Sequence, residues 1–226
     1  KGMVPYGHRT SGKDIGLIDH LSAGTGLGGD PNSKVIVTTV EEALTLGADA
    51  VSIHINLGAD TEPDMIRCAG EISRKCQQWG MPLLAMVYPR GRNIKDPFDV
   101  DALKTCARVA AELGADLVKT SYTGDIDSFR AVVRGASIPV VIAGGPTRSS
   151  DLEMLQMVRA SLVAAGRGLS IGRNIIHLKD SFRITPALTE IVRHDASVEV
   201  AAKHLNRLCP NDADTSSGSG PCRHCT

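Results

Sequence analysis

Lys119 closes the apolar run Ala115-Asp116-Leu117-Val118-Lys119-Thr120-Ser121-Tyr122, a position that suits covalent chemistry. Withdrawal from water disfavours the ammonium form and lowers a lysine pKa. A neutral amine attacks a carbonyl and forms a Schiff base. The other reading of a strand-end lysine is a solvated cation, so the remaining strand ends bear on the choice. They read, in order, His20-Leu21-Ser22, His54-Ile55-Asn56, Tyr88-Pro89-Arg90-Gly91, Gly144-Gly145-Pro146 and Gly172-Arg173-Asn174. With Lys119 they offer a nucleophile, a phenol, two arginines and two glycine-rich turns.

Each has more than one use. Tyr88 ends an otherwise aliphatic strand, where its ring caps a core or its hydroxyl shuttles a proton beside a Schiff base. Arg90 binds a substrate carboxylate or pairs with an acidic loop residue. Gly144 and Gly145, with Gly172 and Arg173, suit a phosphate cradle of backbone N–H groups and one guanidinium, or simply shape turns. His20 and His54 raise a metal-dependent mechanism, but no third ligand is evident at a strand end, and a lysine electron sink makes a metal unnecessary. No metal and no cofactor are therefore expected.

The elements that must hold these residues alternate along the chain. Near-continuous apolar strands are expected at 15–21, 50–55, 83–88, 117–120, 140–143 and 169–171. Their composition suits burial on both faces. Helices are expected over 39–46, 64–79, 99–113, 127–133 and 151–165, the first opened by a Thr39/Glu42 capping box. The cassettes Leu46-Gly47-Ala48-Asp49-Ala50-Val51 and Leu113-Gly114-Ala115-Asp116-Leu117-Val118 each end a helix on glycine and start a strand at once. Repeated βα units predict an α/β fold, a TIM (β/α)8 barrel. Six units are visible, so the first two are expected to be largely missing from this chain, which starts at Lys1. The barrel domain is expected over 1–208, with a disordered Ser/Gly/Cys tail over 209–226. Its Cys222-Arg223-His224-Cys225 lacks the second ligand pair of a zinc site.

Lysine plus arginine number 25 and aspartate plus glutamate number 25, so no global field favours nucleic acid or an anionic membrane. No apolar stretch approaches the roughly 20 residues of a membrane span. Cys68, Cys76 and Cys106 lie in helix-like segments, which favours a reduced, cytoplasmic setting over a disulfide framework.

The stretches Tyr88-Pro89-Arg90-Gly91 and Val118-Lys119-Thr120-Ser121-Tyr122-Thr123-Gly124-Asp125 resemble the class I, Schiff-base aldolases of the archaeal fructose-bisphosphate aldolase type. Gly47 to His54, Trp79 to Leu83, Ala143 to Pro146 and Gly172 to Ile175 extend the likeness, which is strongest to the group's 2-amino-3,7-dideoxy-D-threo-hept-6-ulosonate synthases. The resemblance implies Lys119 as Schiff-base lysine and Tyr88 as proton donor. Tyr88, Pro89 and Arg90 would line the substrate site, and Gly144, Gly145, Gly172 and Arg173 would hold phosphate. It implies transfer of a ketone-bearing three-carbon unit from a deoxy-hexodiulose phosphate to L-aspartate 4-semialdehyde, toward 3-dehydroquinate and the aromatic amino acids, by a homo-oligomer. Fructose-bisphosphate cleavage, condensation of a triose phosphate with aspartate semialdehyde, and a non-catalytic phosphate-binding barrel are the alternatives. The family's first-strand aspartate, in a Met-Asp-His-Gly motif, has no match here, and Arg167-Gly168-Leu169 departs from the small residues usual before the last strand.

Overall fold

Short-range chemistry sets the helices. Thr39 caps α1 (Val40–Thr45) by accepting from the Glu42 N–H at 3.1 Å, while the Glu42 carboxylate accepts from Thr38 Oγ1. α2 (Glu62–Trp79) carries Pro63 in its first turn, where no helical N–H is needed. Asp99 caps α3 (Val100–Glu112), and Asp125 caps α4 (Ile126–Gly135) through two backbone N–H groups. Gly47 and Gly114 adopt φ of +81° and +86°, as the two cassettes predict. A side chain at Gly114 would lie 2.5 Å from Ser73 Oγ, so glycine is required there twice over.

The computed structural model describes residues 15–145, 150–176 and 181–205. Its strands are β1 (Ile18–His20), β2 (Ser22–Ala23), β3 (Val35–Ile36), β4 (Ala50–Leu57), β5 (Leu83–Pro89), β6 (Leu117–Thr120), β7 (Val140–Ala143) and β8 (Gly168–Ser170). Six of them form one all-parallel sheet in the order β1-β4-β5-β6-β7-β8. Strand after strand follows its neighbour through a helix from β4 to β8, the curled arrangement of a TIM-barrel-type fold. The expected β1 shortens from 15–21 to Ile18–His20, and β8 begins one residue earlier than expected, at Gly168. An antiparallel pair, β2 with β3, was not foreseen. Val37 N–H donates to Leu21 O at 2.9 Å beside it.

Contacts divide the chain into two compact units, Lys1–Gly145 with Ala160–Ser170, and Pro146–Arg159 with Ile171–Thr226. The first holds the sheet. The second contains α6 (Arg173–Ile176), α7 (Ser181–His194) and α8 (Val198–Ala202). α5 (Asp151–Val163) contributes to both units. Within the second unit α7 buries Ile184, Ala187, Leu188 and Ile191 despite Pro186 in its interior. The expected 1–208 domain limit and the tail from 209 lie outside the described residues, as do Lys1 to Asp14. Among the described residues no helix is long and apolar enough to cross a membrane.

The sheet has two unlike faces, because successive side chains on a strand point to opposite sides. One face sets Val51, Ile53, Ile55, Leu83, Ala85, Val87, Val118, Val140 and Ile142 side by side, each at most 2% exposed. Met65, Ala69 and Ile72 of α2, Leu103, Ala107 and Ala110 of α3, and Phe129 and Val132 of α4 supply the matching apolar layer. Thr120 is the polar exception, and its hydroxyl donates to Val87 O at 2.8 Å. The opposite face carries His20, Ser52, His54, Asn56, Tyr88 and Lys119. Burial on both faces holds for β4 and β5, whereas β6 alternates.

Candidate active site

Strand register places the chemistry-bearing residues in rungs. His54 pairs with Met86, Met86 with Lys119, and Lys119 with Val141, so His54 and Lys119 share a rung two strands apart. Asn56 and Tyr88 occupy the next rung toward the strands' C-terminal ends. Neighbouring strands lie about 4.8 Å apart, so these side chains occupy one patch of the sheet. Lys119 is half-buried between its fully buried neighbours Val118 and Thr120.

Tyr88 is 8% exposed and its ring has two close neighbours. The His54 ring meets it edge-on at 5.2 Å between centroids, and the Arg90 guanidinium lies 5.0 Å from its ring centre. Such contacts fix the orientation of the phenol ring. Arg90 itself is exposed and makes no ion pair among the described residues. Pro89 is buried at the end of β5.

Backbone contact sets the Arg90 loop. Arg90 N–H donates to Leu57 O at 2.8 Å, and a Cβ at Gly91 would lie 1.7 Å from Gly58 O. The loops after β4 and β5 therefore cross main chain on main chain, which only glycine at position 91 allows.

The two histidines have partners of their own. His20 Nδ1 lies 2.9 Å from Ser52 Oγ, and His54 Nε2 lies 2.9 Å from Asn56 Oδ1. Burial lowers the pKa of His20, with the positive charge of Lys119 acting in the same direction. Burial likewise pushes His54 down to about 4, against its hydrogen bond to Asn56 and aided by the charges of Arg90, Lys34 and His20. Both imidazoles are neutral at pH 7, and the field that keeps them so comes partly from cations in the site. Asn56 is fully buried, and its Nδ2 donates to Asn32 O at 2.7 Å in the β2–β3 connection. From sequence alone His54 suggests only a metal ligand, and Asn56 suggests no role. The period-two spacing of Ser52, His54 and Asn56 was the available signal.

Gly144 and Gly145 follow β7, and Gly145 takes φ of +68°, a conformation suited to glycine. In the second unit Gly172 accepts from Ile175 N–H and Ile176 N–H at 2.9 and 3.0 Å, and Arg173 opens α6. Among the described residues a Cβ at Gly145 or at Gly172 would meet nothing within 4 Å, which leaves the main chain open at both places.

A lysine on a parallel strand, with a tyrosine one rung on and an arginine beside it, is an arrangement suited to Schiff-base chemistry. The chain belongs to the DeoC/LacD family of aldolases, whose model matches residues 1–178. It is 45% identical over 210 residues to the 2-amino-3,7-dideoxy-D-threo-hept-6-ulosonate synthase 1 of Archaeoglobus fulgidus, covering 92% of this chain and 77% of the relative. It is 40% identical over 187 residues to the 2-amino-4,5-dihydroxy-6-oxo-7-(phosphonooxy)heptanoate synthase of Streptomyces griseus, covering 83% of this chain and 68% of that one. An archaeal fructose-1,6-bisphosphate aldolase, solved with its catalytic lysine bound to the carbinolamine intermediate, superposes with a TM-score of 0.79 at 31% identity. That match covers 84% of this chain and 75% of the solved one.

Proposed function

We propose that the protein is a transaldolase-type aldolase that builds a 2-amino-3,7-dideoxy-heptulosonate. The observation that carries this reading is the pairing of Lys119 on β6 with Tyr88 one rung beyond it on β5, flanked by Arg90. Neutral Lys119 Nζ attacks the ketone of a deoxy-hexodiulose phosphate, and loss of water from the carbinolamine gives an iminium. The iminium accepts the electron pair of the breaking carbon–carbon bond, which releases a phosphorylated dicarbonyl fragment and leaves an enamine. The enamine carbon attacks the aldehyde of L-aspartate 4-semialdehyde, and water frees the product from Lys119. Tyr88 moves the protons at the carbinolamine and aldol oxygens. Arg90, exposed and without an acidic partner among the described residues, takes the carboxylate of the amino-acid aldehyde. Pro89 lines the same end of β5. Gly144 and Gly145 are assigned to the donor phosphate, with open main chain at Gly145. Gly172 and Arg173 are candidates for the same role by the family resemblance.

The reading carries a cytoplasmic setting and a homo-oligomer with it. Support for the first comes from Cys68, Cys76 and Cys106, which are free; burial raises Cys76 to about 11 and Cys106 to about 12, holding both as inert thiols. Support for the second is family likeness.

One finding favours a second reading. The Streptomyces griseus relative is named for a product that retains phosphate. On that pattern a triose phosphate would add directly, and phosphate would stay on the product. The deciding experiment treats the full-length protein with borohydride and each donor in turn, followed by mass analysis of Lys119 and of the released products. The main reading requires a three-carbon adduct without phosphate on Lys119; a three-carbon adduct that keeps phosphate selects the second reading, and no adduct with either donor sinks both.

A further inference from the structure

His54 enters neither proposed chemical step, yet the structure fixes both the orientation and the proton of its ring. A carbonyl oxygen only accepts, so the group that Asn56 turns to Asn32 O is its amide NH2. Asn56 Oδ1 therefore faces His54 and only accepts in turn, which puts the imidazole proton on Nε2. Full burial of Asn56 leaves this amide no water with which to exchange partners. Nδ1 is then a lone-pair acceptor, and it has no hydrogen-bond partner among the described residues. The His54 ring sits on the rung of Lys119 and packs against Tyr88, which Arg90 also contacts.

An imidazole acceptor and an exposed guanidinium packed against the same phenol match the two ends of a zwitterion. We propose that His54 Nδ1 receives the α-ammonium of the amino-acid aldehyde while Arg90 receives its α-carboxylate, with Asn56 as the positioning residue for His54. The inference rests on the Schiff-base reading above and names the residue that distinguishes an amino-acid aldehyde from one without the amine. The charged and titratable groups acting on His54 are Arg90, Lys34 and His20, and an imidazolium in their company would repel an ammonium. Neutrality is thus a condition of the role, and burial supplies it.

The test compares L-aspartate 4-semialdehyde with succinate semialdehyde, which keeps the carboxylate and lacks the amine, as acceptors for the full-length protein. A hydrogen bond to a charged group corresponds to a preference of about 10- to 100-fold in kcat/KM for the amino acceptor. His54→Phe is expected to bring that ratio close to unity, and His54→Gln, whose Oε1 accepts, to restore most of it. If the phenylalanine variant does not fold, His54→Leu reads the same ratio. A ratio unchanged in His54→Phe, or a wild type indifferent to the amine, overturns the inference. Borohydride trapping of the wild type with donor alone separates the two failures. No adduct removes the Schiff-base reading and this inference with it, whereas an adduct with an unchanged ratio removes this inference alone.

Discussion

The two faces of the six-stranded sheet are made from the same strands and do opposite work. On β4, Val51, Ile53 and Ile55 are at most 2% exposed against the helix layer, while the alternate residues Ser52, His54 and Asn56 form a hydrogen-bonded polar row. On β6, Val118 is fully buried and its neighbour Lys119 bears the proposed nucleophile. The helix-covered face holds the strands by apolar burial, which is indifferent to direction. The polar face depends on orientation, because a proton moves only along a particular hydrogen bond. Stability and chemistry are thereby separated by one residue of sequence, and substitutions on the two faces have separable effects.

The largest effect that sharpens this separation is Lys119→Ala. It is expected to abolish borohydride trapping and cut turnover by about 10³-fold or more, with little change in the unfolding midpoint. An active Lys119→Ala would break the comparison outright. The converse is Ile142→Ala on the other face, expected to cost about 2–5 kcal/mol in denaturant unfolding while the folded fraction keeps its kcat. Tyr88→Phe should retain Schiff-base trapping and lower kcat by about 10²-fold or more, readable in stopped-flow and steady-state assays. Acid is a milder probe. His54 has an unfolded value of 6.5 and a folded value of about 4, so between these the unfolded chain binds the extra proton. This contribution to stability is present above pH 6.5 and is lost as pH falls toward 4; His54→Gln should flatten that part of the stability profile. Smallest is Thr120→Val, which removes the hydroxyl bond to Val87 O and should cost about 1 kcal/mol with no change in trapping.

Much of the scaffold was legible because its signals are local. Thr39 and Glu42, Asp99 and Asp125 announce helix starts within a few residues of the helices they cap. Gly47 and Gly114 announce helix ends through a backbone conformation that glycine adopts readily. The β2–β3 pair left no such trace, since two-residue strands have no periodicity and depend on contacts such as Val37 N–H to Leu21 O. α7 was not read because Pro186 signals a break, whereas the stripe Ile184, Ala187, Leu188 and Ile191 finds a core to enter. In the site, Lys119, Tyr88 and Arg90 were recognisable one by one as strand-end residues. That His54 shares a rung with Lys119, and that Asn56 is pinned by Asn32, depends on register and on a loop 24 residues away, which no local pattern encodes.

The crossing of the loops at Gly58 and Gly91 has a genetic consequence. Every missense change in the codon for Gly91 adds at least a Cβ, and that atom falls 1.7 Å from Gly58 O. No such change is graded by chemistry: alanine, serine and valine all meet the same main-chain oxygen first. Position 91 therefore has no neutral neighbours in sequence space, although its residue has no side chain with which to touch a substrate. A lineage that drifts here displaces Arg90 before it alters any group that recognises a ligand.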